Sequence, residues 1–388
     1  ALPRRTPVAE RGDAPCVVHL TTVHPRDDIR ILHKQCRTLA AAGYRVVQVV
    51  GDGLGDARDG DVEIVDIGPQ PTTRWARMWQ QPRRAAAAVQ RLAPDLLHFH
   101  DPELLPLAAR LAARGLPVVY DAHEDVPRQV LTKQWIPAPA RPVVSRLFEW
   151  YEDGRAARLA AVCAATPHIA RRFARRAPLS VCVANYPFLD ELAPPADDAP
   201  RERAVCYVGG ITRTRGAFEM LRAIARVPGA RLLLCGRFED ATLEAELRRE
   251  PGWRQVDYLG QVDRQGVAEV MARSMAGLVT LQPMPSYRDA WPIKMFEYMS
   301  AALPVIASDF PLWRDILAPV DAGLCVDPLD PAAIAAAIGR LLDDPLQARA
   351  MGMRGRSAVL EHYRWDAAAA ELLTLYARLL PARAWATT

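Results

Sequence analysis

What most restricts the fold of this chain is a rhythm of short apolar or β-branched runs alternating with amphipathic helical stretches, broken once and then resumed. Such βαβα order builds parallel sheets covered by helices on both faces. The first half reads as strand CVVHLTT, helix DIRILHKQCRTLAAAG, strands RVVQVVG and EIVDIG, helix WARMWQQPRRAAAAVQRLA, strand LLHFH, helix ELLPLAARLAARG, and strands PVVYDA, AAVCAA and SVCVANY. Over 189–203, LDELAPPADDAPRER, prolines and charges replace the pattern, the composition of an exposed interdomain linker. Strands AVCYVGG, ARLLLCG, VDYLG, AGLVTLQ and LPVIAS then restart it. The predicted plan is a flexible segment 1–14, a doubly wound domain 15–188, the linker 189–203, a second doubly wound domain 204–362, and a helix 363–388 crossing back onto the first domain. Two such halves facing across a cleft would gather the carboxyl ends of their strands there, where ligands bind in these sheets.

Composition removes several classes of function. Hydrophobic residues at 50% and charged residues at 24% exclude a disordered or collagenous chain. A net charge of +4 is too small a surplus for a nucleic-acid binder. The seven cysteines are odd in number, widely spaced and set in apolar runs, which fits buried thiols in a reduced, cytoplasmic chain. No CxxC or Cys/His pair has ligand spacing, so no metal site is expected. No apolar run reaches about 18 residues, and residues 1–14 lack the apolar centre of a signal peptide.

Two segments carry chemistry. In CYVGGITRTRGAFEML, Gly209 and Gly210 end a strand, Arg213 and Arg215 follow, and Gly216 opens a helix. Glycines let backbone amides approach a phosphate, the helix start offers unpaired N–H groups, and guanidiniums fork onto phosphate oxygens. A plain strand-to-helix turn with exposed arginines is the other use of such residues. The segment is not GxxxxGK[ST], so it does not read as an NTPase loop. In SYRDAWPIKMFEYMSAALPVIASDF, Pro292 is placed as the first helical residue and Lys294 falls in the first turn. A cation there opposes the helix dipole, which makes sense with an anion in front of the helix. Glu297 lies on or beside the inward face. There it can accept hydrogen bonds from a ribose diol, or pair with Lys294 as a surface charge.

Asp289 and Glu297, with seven residues between them just before LPVIAS, resemble the EX7E motif of retaining GT-B glycosyltransferases of family 4. HLTTVHPRDDIRILHKQCRTLAAAGYRV, DLLHFHDPELLPLA, VVYDAHEDVPRQ, YVGGITRTRG, YLGQVDRQGVAEVMARS, IKMFEYMSAALPVIAS and AGLCVDPLDPAAIAAAI extend the resemblance over nearly the whole chain, in the family's order. It implies a GT-B fold, with the acceptor side in 15–188 and the nucleotide sugar in 204–362. By position Glu297 inherits the ribose contact and Asp289, one methylene shorter than the usual glutamate, the donor-sugar contact. Gly209 and Gly210 stand where the family has Gly-Arg, and Arg215 and Gly216 where it has Lys-Gly, so Arg213 replaces the missing arginine. Lys294 is implied as a further pyrophosphate contact, and Gly236 and Gly260 as strand ends where backbone meets nucleotide. His123 in YDAHED takes the place of the histidine near the donor sugar; a lone histidine is also common as a satisfied core residue. Asp121, Glu124, His100 and Asp101 stand at neighbouring strand ends, as supporting or acceptor-side groups.

The resemblance implies metal-independent hexosyl transfer with retention, with Arg213, Arg215 and Lys294 stabilising the leaving diphosphate and His123 and Asp289 at the sugar. UDP is the favoured nucleotide, no cofactor beyond the donor is expected, and the acceptor would be a glycan or lipid-linked hydroxyl in bacterial polysaccharide or lipopolysaccharide assembly. A nucleotide-sugar 2-epimerase and a noncatalytic GT-B scaffold are the alternatives. Asp59-Gly60-Asp61 spells the DxD metal signature of the other large glycosyltransferase fold but sits in a polar turn. The loop Val23–Asp27 lacks the Gly-Gly pair of many relatives, so acceptor contacts do not carry over to it. RWARMWQQPRR, Trp135, Trp150 and Arg171, Arg172, Arg175 and Arg176 suggest peripheral contact with an anionic membrane, at the inner face of the plasma membrane.

Overall fold

A computed structural model describes residues 14–133, 135–188, 192 and 201–380. The segment 1–13, most of the linker 189–203 and residues 381–388, expected from the sequence to end the last helix, lie outside the described residues. The chain forms two compact units, one from Ala1–Val130, Pro137–Ala184 and Ala368–Thr388, the other from Leu131–Ile136 and Asn185–Ala367.

The first unit holds a sheet of β1 (Cys16–Leu20), β2 (Arg45–Val50), β3 (Ala57–Asp59), β4 (Val62–Asp66), β5 (Leu96–Phe99), β6 (Val118–Ala122), β7 (Ala161–Ala164) and β8 (Ser180–Cys182). Their spatial order is β3-β4-β2-β1-β5-β6-β7-β8, and all pairs are parallel except the β3–β4 hairpin. Strands covered on both faces read as continuous apolar runs, which makes the exceptions informative. β1 pairs in register with both β2 and β5, so His19 lies beside Gln48 and His98; Asp121 lies beside Cys163. Side chains alternate along a strand, so the register puts His19, Gln48, His98, His100 and Asp121 on one face. The other face is Val18, Leu20, Val47, Val49, Leu97, Phe99 and Tyr120.

Over the polar face lies the helix Ile29–Cys36, which is wound as a π-helix with Asp28 accepting from the N–H groups of Arg30 and Ile31. The i to i+5 repeat of that winding brings Arg30 and Gln35 to the same side, and both reach Asp121. The final helix, Trp365–Leu379, starts in the second unit and ends in the first, where Tyr376 is fully buried.

The second unit has six parallel strands, β9 (Ala204–Val208), β10 (Arg231–Cys235), β11 (Val256–Gly260), β12 (Ala276–Val279), β13 (Val305–Ser308) and β14 (Gly323–Val326). They are ordered β11-β10-β9-β12-β13-β14. Strand order reverses between β9 and β12, and the carboxyl edge at such a switch point is where a ligand is received. Gly236 just after β10 has φ +141°, and an added Cβ would stand 1.8 Å from the Gly209 carbonyl oxygen. Gly236→Ala should therefore destabilise the unit by roughly 1 to 3 kcal/mol, read as a lower Tm. Gly339→Ala, in a helix with nothing within 4 Å of the new methyl, should leave Tm unchanged or raised; equal behaviour of the two would refute the close-approach reading.

Candidate functional site

At the carboxyl edge of the second sheet the loop after β9 turns through Gly209 (φ +149°) and Gly210, then a short 3-10 turn Arg213–Arg215, then Gly216 at φ +79°. A side chain at Gly216 would strike the Thr280 carbonyl oxygen after β12, 2.2 Å away, and the Gln282 N–H donates to the Thr214 carbonyl at 2.9 Å. The loops after β9 and β12 are thus stitched together across the switch point. The Arg215 guanidinium lies over Gly209 and Gly210, within 3.4–3.6 Å of where Cβ atoms would stand, beside Tyr207, whose hydroxyl donates to the Gly210 carbonyl at 2.8 Å. Arg213 turns the other way: it pairs with Glu246 at 2.5 Å and rests over the Phe218 ring.

The helix Ile293–Ser300 is locked to the same edge by Tyr298. Its ring occupies the space a side chain at Gly277 would need, 2.3 Å away, and its hydroxyl accepts the Val208 N–H at 3.0 Å. Pro292 precedes this helix as its cap with ψ +81°, so it is not the first helical residue the sequence suggested: its ψ lies outside the helical range. Lys294 Nζ lies 2.6 Å from Glu297 Oε2, and Arg264 Nη1 lies 3.0 Å from Oε1. The position of Lys294 in the first turn therefore has a local reason as well, an ion pair three residues on. Burial alone would push the Glu297 carboxyl up, but Lys294 and Arg264 hold it below the ordinary glutamate value. The result is a buried carboxylate between two half-buried cations. Gly260 ends β11 with its carbonyl accepting the Gly236 N–H at 2.8 Å. Asp289 is exposed, and its carboxylate has no partner among the described residues.

In the first unit, Asp121 is fully buried and receives Arg30 through Nη2 at 2.6 Å and Nε at 3.0 Å, and Gln35 Nε2 at 2.8 Å. His100 Nδ1 and His123 Nε2 each lie 3.1 Å from Asp121 Oδ2. The His24 ring packs against His123 with centroids 4.6 Å apart, and its Nε2 lies 3.6 Å from Asp101. Burial would push the Asp121 carboxyl up; Arg30 and His123 hold it well below the usual range. Burial lowers His19 and His98 well below the ordinary histidine value, and lowers His100 against the opposing pull of Asp121.

Residues 30–183 match the family described as Glycosyltransferase Family 4, and residues 192–358 match Glycosyl transferases group 1. A phosphatidyl-myo-inositol mannosyltransferase of Mycolicibacterium smegmatis is 32% identical over 302 residues, 73% of this chain and 70% of that protein. This chain belongs to glycosyltransferase family 4. The family 4 chain is also similar to an MMP alpha-(1->4)-mannosyltransferase of Mycolicibacterium hassiacum, 23% identical over 79% of this chain and 78% of the relative. Among solved structures, sucrose-phosphate synthase of Thermosynechococcus elongatus superposes with a TM-score of 0.78 at 21% identity, covering 94% of this chain and 99% of the other. Anabaena HepE in complex with UDP superposes with a TM-score of 0.70 at 14% identity, covering 93% and 99%. These likenesses show the GT-B fold.

For a family 4 glycosyltransferase the structure adds residues that sequence reasoning missed. Arg264, the second cation on Glu297, begins a helix after β11, and no local pattern links it to a residue in another element. Arg30 and Gln35 were hidden by the π-winding, and His24 sits in the loop given no role. Arg172, counted with a basic surface, is instead largely buried in ion pairs with Asp125, Glu152 and Asp153. Asp59 and Asp61 flank the β3–β4 turn and pair with Arg37 and Arg58. His98, Asp121 and Cys163, or His100, Asp121 and His123, bring metal-ligating atoms within 4.8 Å. Both sets share Asp121, whose two oxygens are taken by Arg30, so a divalent ion would have to sit beside a buried guanidinium.

The lowered histidines make a pH prediction. Each is neutral when folded and takes up a proton on unfolding, so its contribution is complete above the ordinary value near 6.5 and is lost as pH falls below it. Tm should fall from pH 7 to 5, with up to about three protons bound on unfolding at these histidines and roughly 1 kcal/mol per pH unit for each, opposed in part by His24, whose value Asp28 and Asp101 raise against burial. A Tm independent of pH over that range would contradict the buried neutral histidines.

Proposed function

We propose that this family 4 glycosyltransferase moves a hexosyl group, with retention of anomeric configuration, from a nucleoside diphosphate sugar to a hydroxyl of a glycan or lipid-linked acceptor. The observation that carries the reading is Glu297, a buried carboxylate kept ionised by Lys294 and Arg264 at the carboxyl edge that also bears Arg215 over Gly209 and Gly210. A carboxylate so placed accepts hydrogen bonds from a ribose diol, while Arg215, with Lys294, takes the charge that grows on a departing diphosphate. Arg213 is proposed as a weaker, outer contact to the diphosphate, because Glu246 holds it. His123 and Asp289 are proposed at the donor sugar, and Gly236 and Gly260 against the nucleotide. The reaction is proposed to run without a metal ion; at Asp121 the buried guanidinium of Arg30 speaks against one in that cluster.

UDP is the favoured nucleotide, supported by the HepE complexes with UDP and UDP-glucose. The similarity to mannosyltransferases makes mannose a sugar to test first, and one of these relatives is named for a lipid acceptor. Membrane contact is proposed through the first unit, where Trp79 is 63% exposed with Arg83 over its ring. These residues border a groove of about 840 Å³ lined also by Leu107, Leu111 and Arg110. Among the described residues no helix is long and apolar enough to cross a membrane. Assembly of a bacterial surface polysaccharide or lipopolysaccharide on the cytoplasmic side is the setting proposed.

The test is a panel of UDP-, GDP- and ADP-sugars screened by thermal shift, then incubated with candidate acceptors and the product anomer read by NMR. One donor should raise Tm and yield a retained linkage. No shift with any donor would favour a scaffold, and an epimer formed without acceptor would replace transfer by 2-epimerisation.

A further inference from the structure

The buried histidines of the first unit form a hydrogen-bonded chain between Tyr376 and Asp121. Tyr376 on the final helix is its hinge. His98 Nδ1 lies 2.8 Å from the Tyr376 hydroxyl, which lies 3.1 Å from His19 Nε2. His19 Nδ1 is 3.0 Å from His100 Nε2, and His100 Nδ1 is 3.1 Å from Asp121 Oδ2 and 3.0 Å from His123 Nε2.

Proton positions along this chain follow from one fixed end. Asp121 is ionised against Arg30, and a bare nitrogen lone pair 3.1 Å from a carboxylate oxygen would be repelled. That repulsion favours hydrogen on both His100 Nδ1 and His123 Nε2 over the other arrangement, in which His123 Nε2–H donates to a bare His100 Nδ1. A neutral imidazole has a single N–H, so His100 Nε2 is bare and accepts from His19 Nδ1–H. His19 Nε2 is then bare and accepts the Tyr376 hydroxyl proton, and the Tyr376 oxygen accepts from His98 Nδ1–H. The far end is consistent: His98 Nε2 is buried without a partner among the described residues, and this direction leaves it as a lone pair and not as an orphaned N–H, the costlier case.

We propose that Tyr376, His19 and His98 are positioning residues that commit the His100 proton to Nδ1, and so hold Asp121 and His123 in one hydrogen-bond pattern at the reacting centre. The proposal rests on the transferase reading for its catalytic consequence but not for the chain itself. With the Tyr376 hydroxyl removed, His100 can carry its proton on Nε2 and offer a bare Nδ1 to the His123 proton, drawing it away from Asp121 and turning the ring.

Two measurements on the full chain test this. Nitrogen-15 histidine NMR without ligand should show the Nδ1–H tautomer for His19, His98 and His100 and the Nε2–H tautomer for His123; an Nε2–H form at His19 or His100 overturns the chain. Tyr376→Phe should lower kcat about 5- to 10-fold, the loss of one hydrogen bond, with donor KM unchanged and a mixture of His19 tautomers. Tyr44→Phe, whose ring meets Tyr376 edge-on at 5.7 Å, should alter neither quantity. An unchanged kcat in Tyr376→Phe, or an equal loss in Tyr44→Phe, overturns the positioning role. A wild-type chain with the expected tautomers but inert toward every donor would refute the transferase reading and leave the hydrogen-bond chain standing; the wrong tautomers in an active enzyme would do the reverse.

Discussion

Glu297→Ala is expected to weaken nucleoside diphosphate binding by roughly 1 to 3 kcal/mol, about 5- to 150-fold in Kd, measured by isothermal titration calorimetry. The size follows from burial and charge. The carboxylate is 6% exposed and already ionised by two cations, so its remaining lone pairs are charged acceptors fixed before the ligand arrives. Lys294 and Arg264 are themselves about one-third exposed and can rehydrate when the carboxylate is gone, so the fold should survive. Glu297→Gln keeps the shape and loses the charge, and should fall between wild type and alanine. Unchanged affinity in Glu297→Ala would remove the ribose role.

The second large effect separates two arginines that the sequence treats alike. Arg215→Ala should lower kcat by about 100-fold, the loss typical of one fixed donor to a developing negative charge, and should raise donor KM by much less. Its guanidinium is already aimed over the Gly209–Gly210 turn and held beside Tyr207, so no reorganisation is needed when charge appears. Arg213→Ala should cost less than about 5-fold, because Arg213 is half exposed and engaged with Glu246, and exposed pairs of that kind contribute little. Steady-state kinetics on both variants decides it: equal losses would mean that Arg213 swings in to share the phosphate.

Much of this architecture could be read from periodicity, and the reasons it stops are physical. RLLLC, and RVVQVV apart from its Gln48, announce doubly buried parallel strands by their apolar runs. The three-residue strand Ala57–Asp59 does not, because an exposed edge strand needs no apolar pattern. Glu297 was legible because a carboxylate on the inner face of a helix is unusual, whereas Arg264 was not, because its meaning depends on a residue 33 positions away in another element. His100 could be placed at a strand end, but His19 and His98 look like scattered polar residues until strand register sets all three side by side. Arg30 and Gln35 would diverge on an α-helix; only the π-winding turns them onto one carboxylate.

The central claim is that a nucleoside diphosphate is held at the carboxyl edge of the second sheet, its pentose on Glu297 and its phosphates on Arg215 and Lys294. The most direct measurement is a crystal structure of the full chain grown with UDP. The account predicts the ribose hydroxyls within hydrogen-bond distance of Glu297 and the β-phosphate against the Gly209–Gly210 backbone; a nucleotide bound away from that edge, with Glu297 still paired only to Lys294 and Arg264, would contradict it.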